Sequence, residues 1–371
     1  MMSGESVVCF RTLKHSRHTF DVCCGQVPGL EEGKITENIQ AYPIKGKYFF
    51  WPIRTAVLFK KLDKENDYQV ILSRVMPPNG HLAGLIIKLL KPKIKWAVYF
   101  SDPVWNSPFI QFPIPWKKDN RHRPSYWLMK LYGIPAKIAV TMSDLLVFNN
   151  ERLAKYITGA QYEKYRSKIC IAPYGHEGVR QKPPRKPDGT FVIAHVGQVY
   201  GNRTLAPFVA ALELLLVKHP KLFSRLTVRQ IGFLCKAEAQ CIRNSAAASA
   251  FQIVGQIPYE ESLEEMYRAD CLLAVDPLFD SPEKNIYIPS KLYDYMSTGK
   301  PIFAIGDEDS ATGDIMKQIG GRCVRCQTND IYSHLLQILR NGCESGAERY
   351  GRFRLGDRAA EMDGRIQDLF L

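Results

Sequence analysis

The run Pro289-Ser290-Lys291-Leu292-Tyr293-Asp294-Tyr295-Met296-Ser297-Thr298-Gly299-Lys300-Pro301-Ile302-Phe303-Ala304-Ile305 constrains the fold of this chain more than any other stretch. Leu292, Tyr295 and Met296 stand at i, i+3 and i+4, the spacing of one apolar helix face. Ser290 is placed to cap the first free amides of that helix. Gly299 suits a left-handed cap, and Pro301 forbids continuation. The four apolar residues Ile302–Ile305 read as a strand buried on both faces, the pattern of a parallel sheet. A helix start beside a lysine, at the carboxyl end of such a sheet, suits phosphate. The plainer alternative is an ordinary capped helix in an α/β unit, because a fold alone does not fix function.

The same unit recurs along the chain. Residues 20–24 read as a strand that includes Cys23 and Cys24; residues 51–62 have helical spacing and residues 68–73 read as a strand. The loop 73–81, which ends on His81, feeds a helix with Leu82, Leu85, Ile86 and Leu89 on one side. Residues 95–100 form the next strand, with Asp102 just past its carboxyl end. Residues 138–141 read as another strand, with Ser143 and Asp144 capping a helix after them. Residues 191–196 run into Gly197, and Asn202-Arg203-Thr204 is placed to cap a helix carrying Leu205, Phe208, Val209, Leu212 and Leu215. Strands follow at 226–231, 251–254 and 271–275, and a last helix covers about residues 358–370. This alternation predicts α/β domains with parallel sheets and sites at the carboxyl ends of the strands.

At 371 residues the chain is long enough for two domains. The expected division is residues 1–177, a Pro- and charge-rich linker at 178–190, residues 191–355, and a terminal helix at 356–371 that crosses back to the first domain. A net charge of +13 calls for an acidic partner. Between residues 88 and 137 cations alternate with rings, among them Lys91, Lys93, Lys95, Trp105, Trp116, Lys117, Arg121, Trp127 and Lys130. That pattern fits an anionic membrane surface or a solvated face; no nucleic-acid motif accompanies it, so no nucleic acid is expected. The ten cysteines are scattered, and Cys323-Val324-Arg325-Cys326 has no second pair to complete a zinc site. Asp307-Glu308-Asp309 follows a glycine and reads as a solvated turn, so no metal or other cofactor is expected. With no signal peptide and no apolar run of about eighteen residues, the expected place is the cytoplasm, peripheral on the membrane's inner face.

The run at 289–305 also resembles the signature of retaining GT-B glycosyltransferases of family 4, in its Pro-Ser-Lys form. Residues 68–85 are similar to the acceptor-domain strand and loop of that family, and residues 255–275 to its base-binding loop, helix and strand. Residues 169–177 resemble the run that ends its first domain, with Tyr174 and Glu177 where Asn and Asp are usual. The resemblance implies two Rossmann-like domains facing across a cleft, the first lacking its opening strand and glycine loop.

The resemblance further implies transfer of a sugar from a nucleotide-diphosphate sugar to a glycan or lipid-linked acceptor in cell-surface polysaccharide synthesis, with retention and without metal. Gly197, Arg203, Ser290, Lys291 and Asp294 would form the donor site, Asp294 meeting the ribose. Gln198 stands where the family carries an arginine. Ile286 occupies the place of the first Glu of the family's acidic pair, which leaves Glu283, three residues upstream, as the substitute candidate. On the acceptor side, Asp102 is placed to orient a hydroxyl or take its proton, and His81 lies nearby. His195, inside a strand, reads as a core histidine. Two other functions fit the same residues: a GT-B relic that binds a nucleotide sugar or partner without turnover, and a nucleotide-sugar 2-epimerase.

Overall fold

The computed structural model describes residues 4–46, 50–75, 79–111, 123–179, 189–342 and 346–370. Most of the expected linker (180–188), the middle of the basic–aromatic stretch (112–122) and part of the 73–81 loop (76–78) lie outside the described residues, as do the side chains of 123–129. The chain forms two compact units, one of residues 1–175 with 355–371, the other of residues 176–354.

In the first unit β1 (Phe20–Gly25), β2 (Gly33–Thr36) and β3 (Ile39–Ile44) make a small mixed sheet in the order β1-β3-β2. A second, fully parallel sheet runs β4 (Val70–Arg74), β5 (Lys95–Phe100), β6 (Leu145–Phe148), β7 (Ile169–Ile171). The last five residues of β5 and all of β6 are buried, as a sheet covered on both faces requires. Residues 138–141, expected to be a strand, instead end the helix Arg123–Met142. Ala136, Ala139 and Val140 are buried there while Lys137 and Thr141 are exposed, a helical alternation, and the uniformly buried Leu145–Phe148 takes the sheet position. Asp144 does not cap a helix: its carboxylate accepts the Trp96 amide at 2.8 Å and pairs with Lys88 at 3.1 Å. The helix Glu151–Thr158 is capped by Asn150, which accepts the Leu153 amide at 2.8 Å.

The terminal helix Leu355–Gln367 belongs to this unit. Its buried Asp363 accepts the Ser16 hydroxyl at 2.5 Å and the Arg17 amide at 2.8 Å.

The second unit is one six-stranded parallel sheet of β8 (Phe191–Val196), β9 (Leu226–Ile231), β10 (Phe251–Gly255), β11 (Cys271–Val275), β12 (Ile302–Ile305) and β13 (Cys323–Val324), in the order β10-β9-β8-β11-β12-β13. This is the order of a doubly wound nucleotide-binding sheet, whose crevice opens where the winding reverses, between the first and fourth strands. Here those strands are β8 and β11. Their ladder pairs Cys271 with Ile193 and Leu272 with Ala194, and the strands then part. The phenol of Tyr295, fully buried, fills the gap: it accepts the Val196 amide at 3.0 Å, and its proton lies between the carbonyls of Leu273 (3.1 Å) and Val196 (3.2 Å). The helix Lys291–Ser297 is thereby tied to both strands.

Where the chain enters and leaves this unit, His176 and Arg354 form a bridge. The His176 amide donates to Phe353 O at 2.9 Å, its Nε2 donates to Tyr350 O at 2.9 Å, and its Nδ1 accepts the Gly178 amide at 3.1 Å. Replacement Tyr295→Phe removes the acceptor of a buried amide between β8 and β11. An unmade buried hydrogen bond costs about 1–3 kcal/mol; urea unfolding of the variant is expected to show that loss.

Candidate functional site

The crevice position of the second sheet is built from glycines. Gly197, one residue beyond β8, has φ +143°, a conformation that side chains disfavour, and a Cβ on it would lie 2.8 Å from Lys291 Nζ. A Cβ on Gly232, one residue beyond β9, would collide with the Gly197 carbonyl. Lys291 therefore extends from its helix across a surface kept bare at the carboxyl end of β8.

The lysine ends on a short chain of hydrogen bonds. Gln230 Nε2 donates to Gly197 O at 3.3 Å, which leaves Gln230 Oε1 to accept from His195 Nδ1 at 2.7 Å. His195 Nδ1 thus carries the proton, and its Nε2 lone pair accepts Lys291 Nζ at 2.8 Å. His195 and Gln230 are both fully buried and face each other in the β8–β9 register. Burial holds the imidazole pKa well below its ordinary value, and the Lys291 charge lowers it further.

Three charged groups meet here. Lys291 is pushed down to about 7 by burial and then by the like charge of Arg203, against the pull of Asp276. Asp276, one residue beyond β11 and 5% exposed, is pushed up to about 6 by burial, opposed by the Thr312 hydroxyl at 2.9 Å and the charges of Arg203 and Lys291. Gly306 leaves room for it, since a Cβ there would lie 2.9 Å from that of Asp276. Arg203, half-buried, comes from the loop after β8, and that loop is tied to the one after β11 by the Leu278 amide on Asn202 O at 2.9 Å. Lys291, Arg203 and Asp276 thus bear on one another electrostatically at the carboxyl ends of β8 and β11, where the two cations favour an anionic ligand.

The expected donor residues divide. Gly197, Arg203 and Lys291 come together as described. Asp294 lies on the same helix as Lys291, and its carboxylate accepts the Tyr259 hydroxyl at 2.9 Å. Ser290 differs from expectation: it has helical angles and makes no capping bond. The amides of Leu292 and Tyr293 are taken by Pro289 O and Ser290 O, at 2.9 and 3.2 Å, so an anion here would meet the lysine side chain rather than a fan of free amides. Nor do Asn202, Arg203 and Thr204 cap the long helix directly: it spans Ala206–Lys218 with Leu205 at its cap position, while Thr204 accepts the Ala206 amide at 3.0 Å. Gln198 is exposed. Ile286 is 2% exposed, a core residue, and Glu283 sits exposed on a single 3-10 turn, accepting from Ser281 at 3.3 Å. Asp307 accepts the Asp309 amide at 2.9 Å in an exposed turn.

In the first unit, Asp102 follows β5 and is half-buried. His81 lies in the helix Asn79–Leu90 with no exposed surface; its Nδ1 meets the Ser73 hydroxyl at 3.0 Å and its ring lies 4.7 Å from that of Phe100. Burial pushes its pKa down to about 3. His81 is therefore a neutral interior group, which corrects its placement as a residue that an arriving acceptor would touch.

Sequence reading missed Asp276, Gln230 and Thr312, and left His195 as a core residue. The signal for Asp276 was present, a carboxylate directly after the five apolar residues of β11. Gln230 had none, because its role depends on which residue of the neighbouring strand it faces.

No known family profile matches the sequence, and no curated protein is similar to it. Solved structures do match. A UDP-forming α,α-trehalose-phosphate synthase from Burkholderia xenovorans, solved with glucose-6-phosphate, aligns over 100% of this chain and 96% of its own, with TM-score 0.65 and 12% identity. The lipopolysaccharide outer core galactosyltransferase WaaB aligns over 90% of this chain and 85% of its own, with TM-score 0.56 and 13% identity. A protein provisionally named UDP-N-acetylglucosamine 2-epimerase, from Listeria monocytogenes, aligns over 91% and 84%, with TM-score 0.54 and 11% identity. The fold is GT-B. At these identities the likeness establishes the fold and nothing finer.

The lysine's environment has a direct chemical readout. Mass-spectrometric mapping of amine acylation against pH is expected to give Lys291 a midpoint near 7, against about 10.4 for ordinary surface lysines. A midpoint in the ordinary range would mean that the ammonium is not buried as described.

Proposed function

We propose that the protein is a glycosyltransferase that takes a sugar from a UDP-sugar, holding the donor diphosphate at Lys291 and Arg203. The observation that carries this reading is Lys291 laid over the bare backbone of Gly197 at the parting of β8 and β11. Departure of a nucleoside diphosphate leaves negative charge on phosphate oxygens, and fixed cations in a dry site stabilise it without reorganisation. The phosphate replaces the solvation that Lys291 loses by burial, so the ammonium is better satisfied with the donor bound than without. Asp294 serves as acceptor for a ribose hydroxyl, and Asp102 is the candidate for orienting the acceptor hydroxyl. The Pro-Ser-Lys resemblance supports retention of configuration, independence of metal, and a glycan or lipid-linked acceptor of the cell surface.

The competing epimerase reading has a structural relative in its favour, and turnover without an acceptor product would establish it. Calorimetry with UDP and uridine tests the donor site. Lys291→Ala is expected to weaken UDP by about tenfold or more, from a charge-assisted contact of about 1.5–3 kcal/mol, and to leave uridine nearly unchanged. Equal losses would remove Lys291 from the phosphate.

The pH dependence has a definite sign. Phosphate binding favours the ammonium form of Lys291, so its pKa rises from about 7 on binding. UDP affinity is therefore expected to fall as pH rises from 7 to 9. The terminal phosphate, with its second ionisation near pH 6, is already fully charged there, and uridine provides the flat control.

A membrane partner is proposed on a separate feature. The helices Asn79–Leu90 and Arg123–Met142 pack together, and they expose Leu89, Leu90, Leu131 and Ile134 beside Lys130 and Lys137. Neither helix carries an acidic residue. Exposed apolar side chains interspersed with lysines suit a surface of anionic lipid. Among the described residues no helix is long and apolar enough to cross a membrane. Co-sedimentation with phosphatidylserine vesicles, released by salt, is the expected result; equal binding to neutral vesicles would overturn the assignment.

A further inference from the structure

The proposed donor site assigns no task to His195, yet it is the group on which Lys291 rests. We infer that His195 is a positioning residue: held by Gln230 as the Nδ1–H tautomer, it presents a fixed Nε2 lone pair that keeps the Lys291 ammonium over Gly197, aimed for the donor diphosphate. This rests on the donor-site reading above and extends it to a residue that touches no ligand.

The argument is one of directionality. A lysine side chain is a long, flexible stem ending in three equivalent donors, so its charge alone does not fix its place. Among the described residues one acceptor, at 2.8 Å, takes one donor and leaves two for an incoming oxyanion. The acceptor is itself fixed, because Gln230 can offer Oε1 to His195 only while its Nε2 is engaged by Gly197 O, at 3.3 Å. The chain therefore starts and ends at the same glycine: Gly197 gives the carbonyl that orients Gln230 and the bare surface that admits the lysine. A carboxylate in place of His195 would neutralise the cation that the phosphate needs; a neutral imidazole orients the ammonium and leaves its charge whole. The other charged groups that bear on the lysine, Arg203 and Asp276, lie on the loop after β8 and at the end of β11.

Two variants separate the two ring nitrogens. His195→Asn keeps a donor near the place of Nδ1 and removes the acceptor at Nε2; His195→Gln keeps an acceptor near the place of Nε2 and removes the donor at Nδ1. UDP and uridine affinities are measured by calorimetry, melting temperatures by calorimetric scan, and Lys291 acylation midpoints without ligand. His195→Asn is expected to lose about tenfold or more in UDP affinity with uridine unchanged, and His195→Gln to recover most of that loss. The Lys291 midpoint is expected to climb toward the ordinary lysine range in His195→Asn, as the released ammonium regains water, and to stay near the wild-type value in His195→Gln. The inference is overturned if both variants weaken UDP equally, in step with melting temperature, or if the His195→Asn midpoint equals that of wild type. If the wild-type protein binds no UDP, the donor reading falls, and the acylation midpoints alone then decide whether His195 holds the lysine.

Discussion

The parting of β8 from β11 is the constraint on which the second unit depends. Two parallel strands that diverge leave backbone groups unpaired in a dry interior, and each such group carries a penalty unless something reaches it. Tyr295 reaches both strands with one oxygen. Because it sits one helical turn after Lys291, the group that mends the sheet also sets where the lysine emerges. Architecture and charge placement thus share a single helix of seven residues.

Burying a lysine beside an arginine is unfavourable, and the second unit tolerates it through a graded set of neighbours. Asp276 offsets part of the charge, and Thr312 holds that carboxylate in place. His195 supplies direction without charge, because burial keeps its ring neutral. Burial and the like charge of Arg203 leave the Lys291 ammonium disfavoured at rest, the condition under which an added anion gains most.

Much of this organisation could be read from residues alone. The strands β8, β11 and β12 announced themselves as largely apolar runs ending at Gly197, Asp276 and Gly306, and β9 as an alternation of apolar and polar residues ending before Gly232. Two strands of the small sheet did not. β2 has four residues and none is buried, and β3, central in that sheet, mixes buried with half-buried positions, so no continuous apolar run marked either. Residues 138–141 are apolar enough for a strand, and only the helix that precedes them decides otherwise. Arg203 and Lys291 were identifiable from motif spacing. His195 and Gln230 were not, because their partnership is a register between strands 35 residues apart. Ser290 does not cap, for a local reason: it already has helical angles itself, and the amides of Leu292 and Tyr293 bond backward to backbone carbonyls.

The clasp at His176 and Arg354 has a consequence for how the chain is assembled. Both strands of polypeptide that connect the second unit to the rest pass through one bridge, fixed by three hydrogen bonds of a single histidine. The nucleotide-type sheet is therefore inserted as a closed loop whose two mouths are stitched together, and the first unit is sequence-discontinuous around it. In such an arrangement the insert makes few topological demands on its host. Its entropy of closure is met locally at the seam, so the segment between the two mouths has the make-up of a cassette, able to be lifted out or exchanged without re-threading what surrounds it.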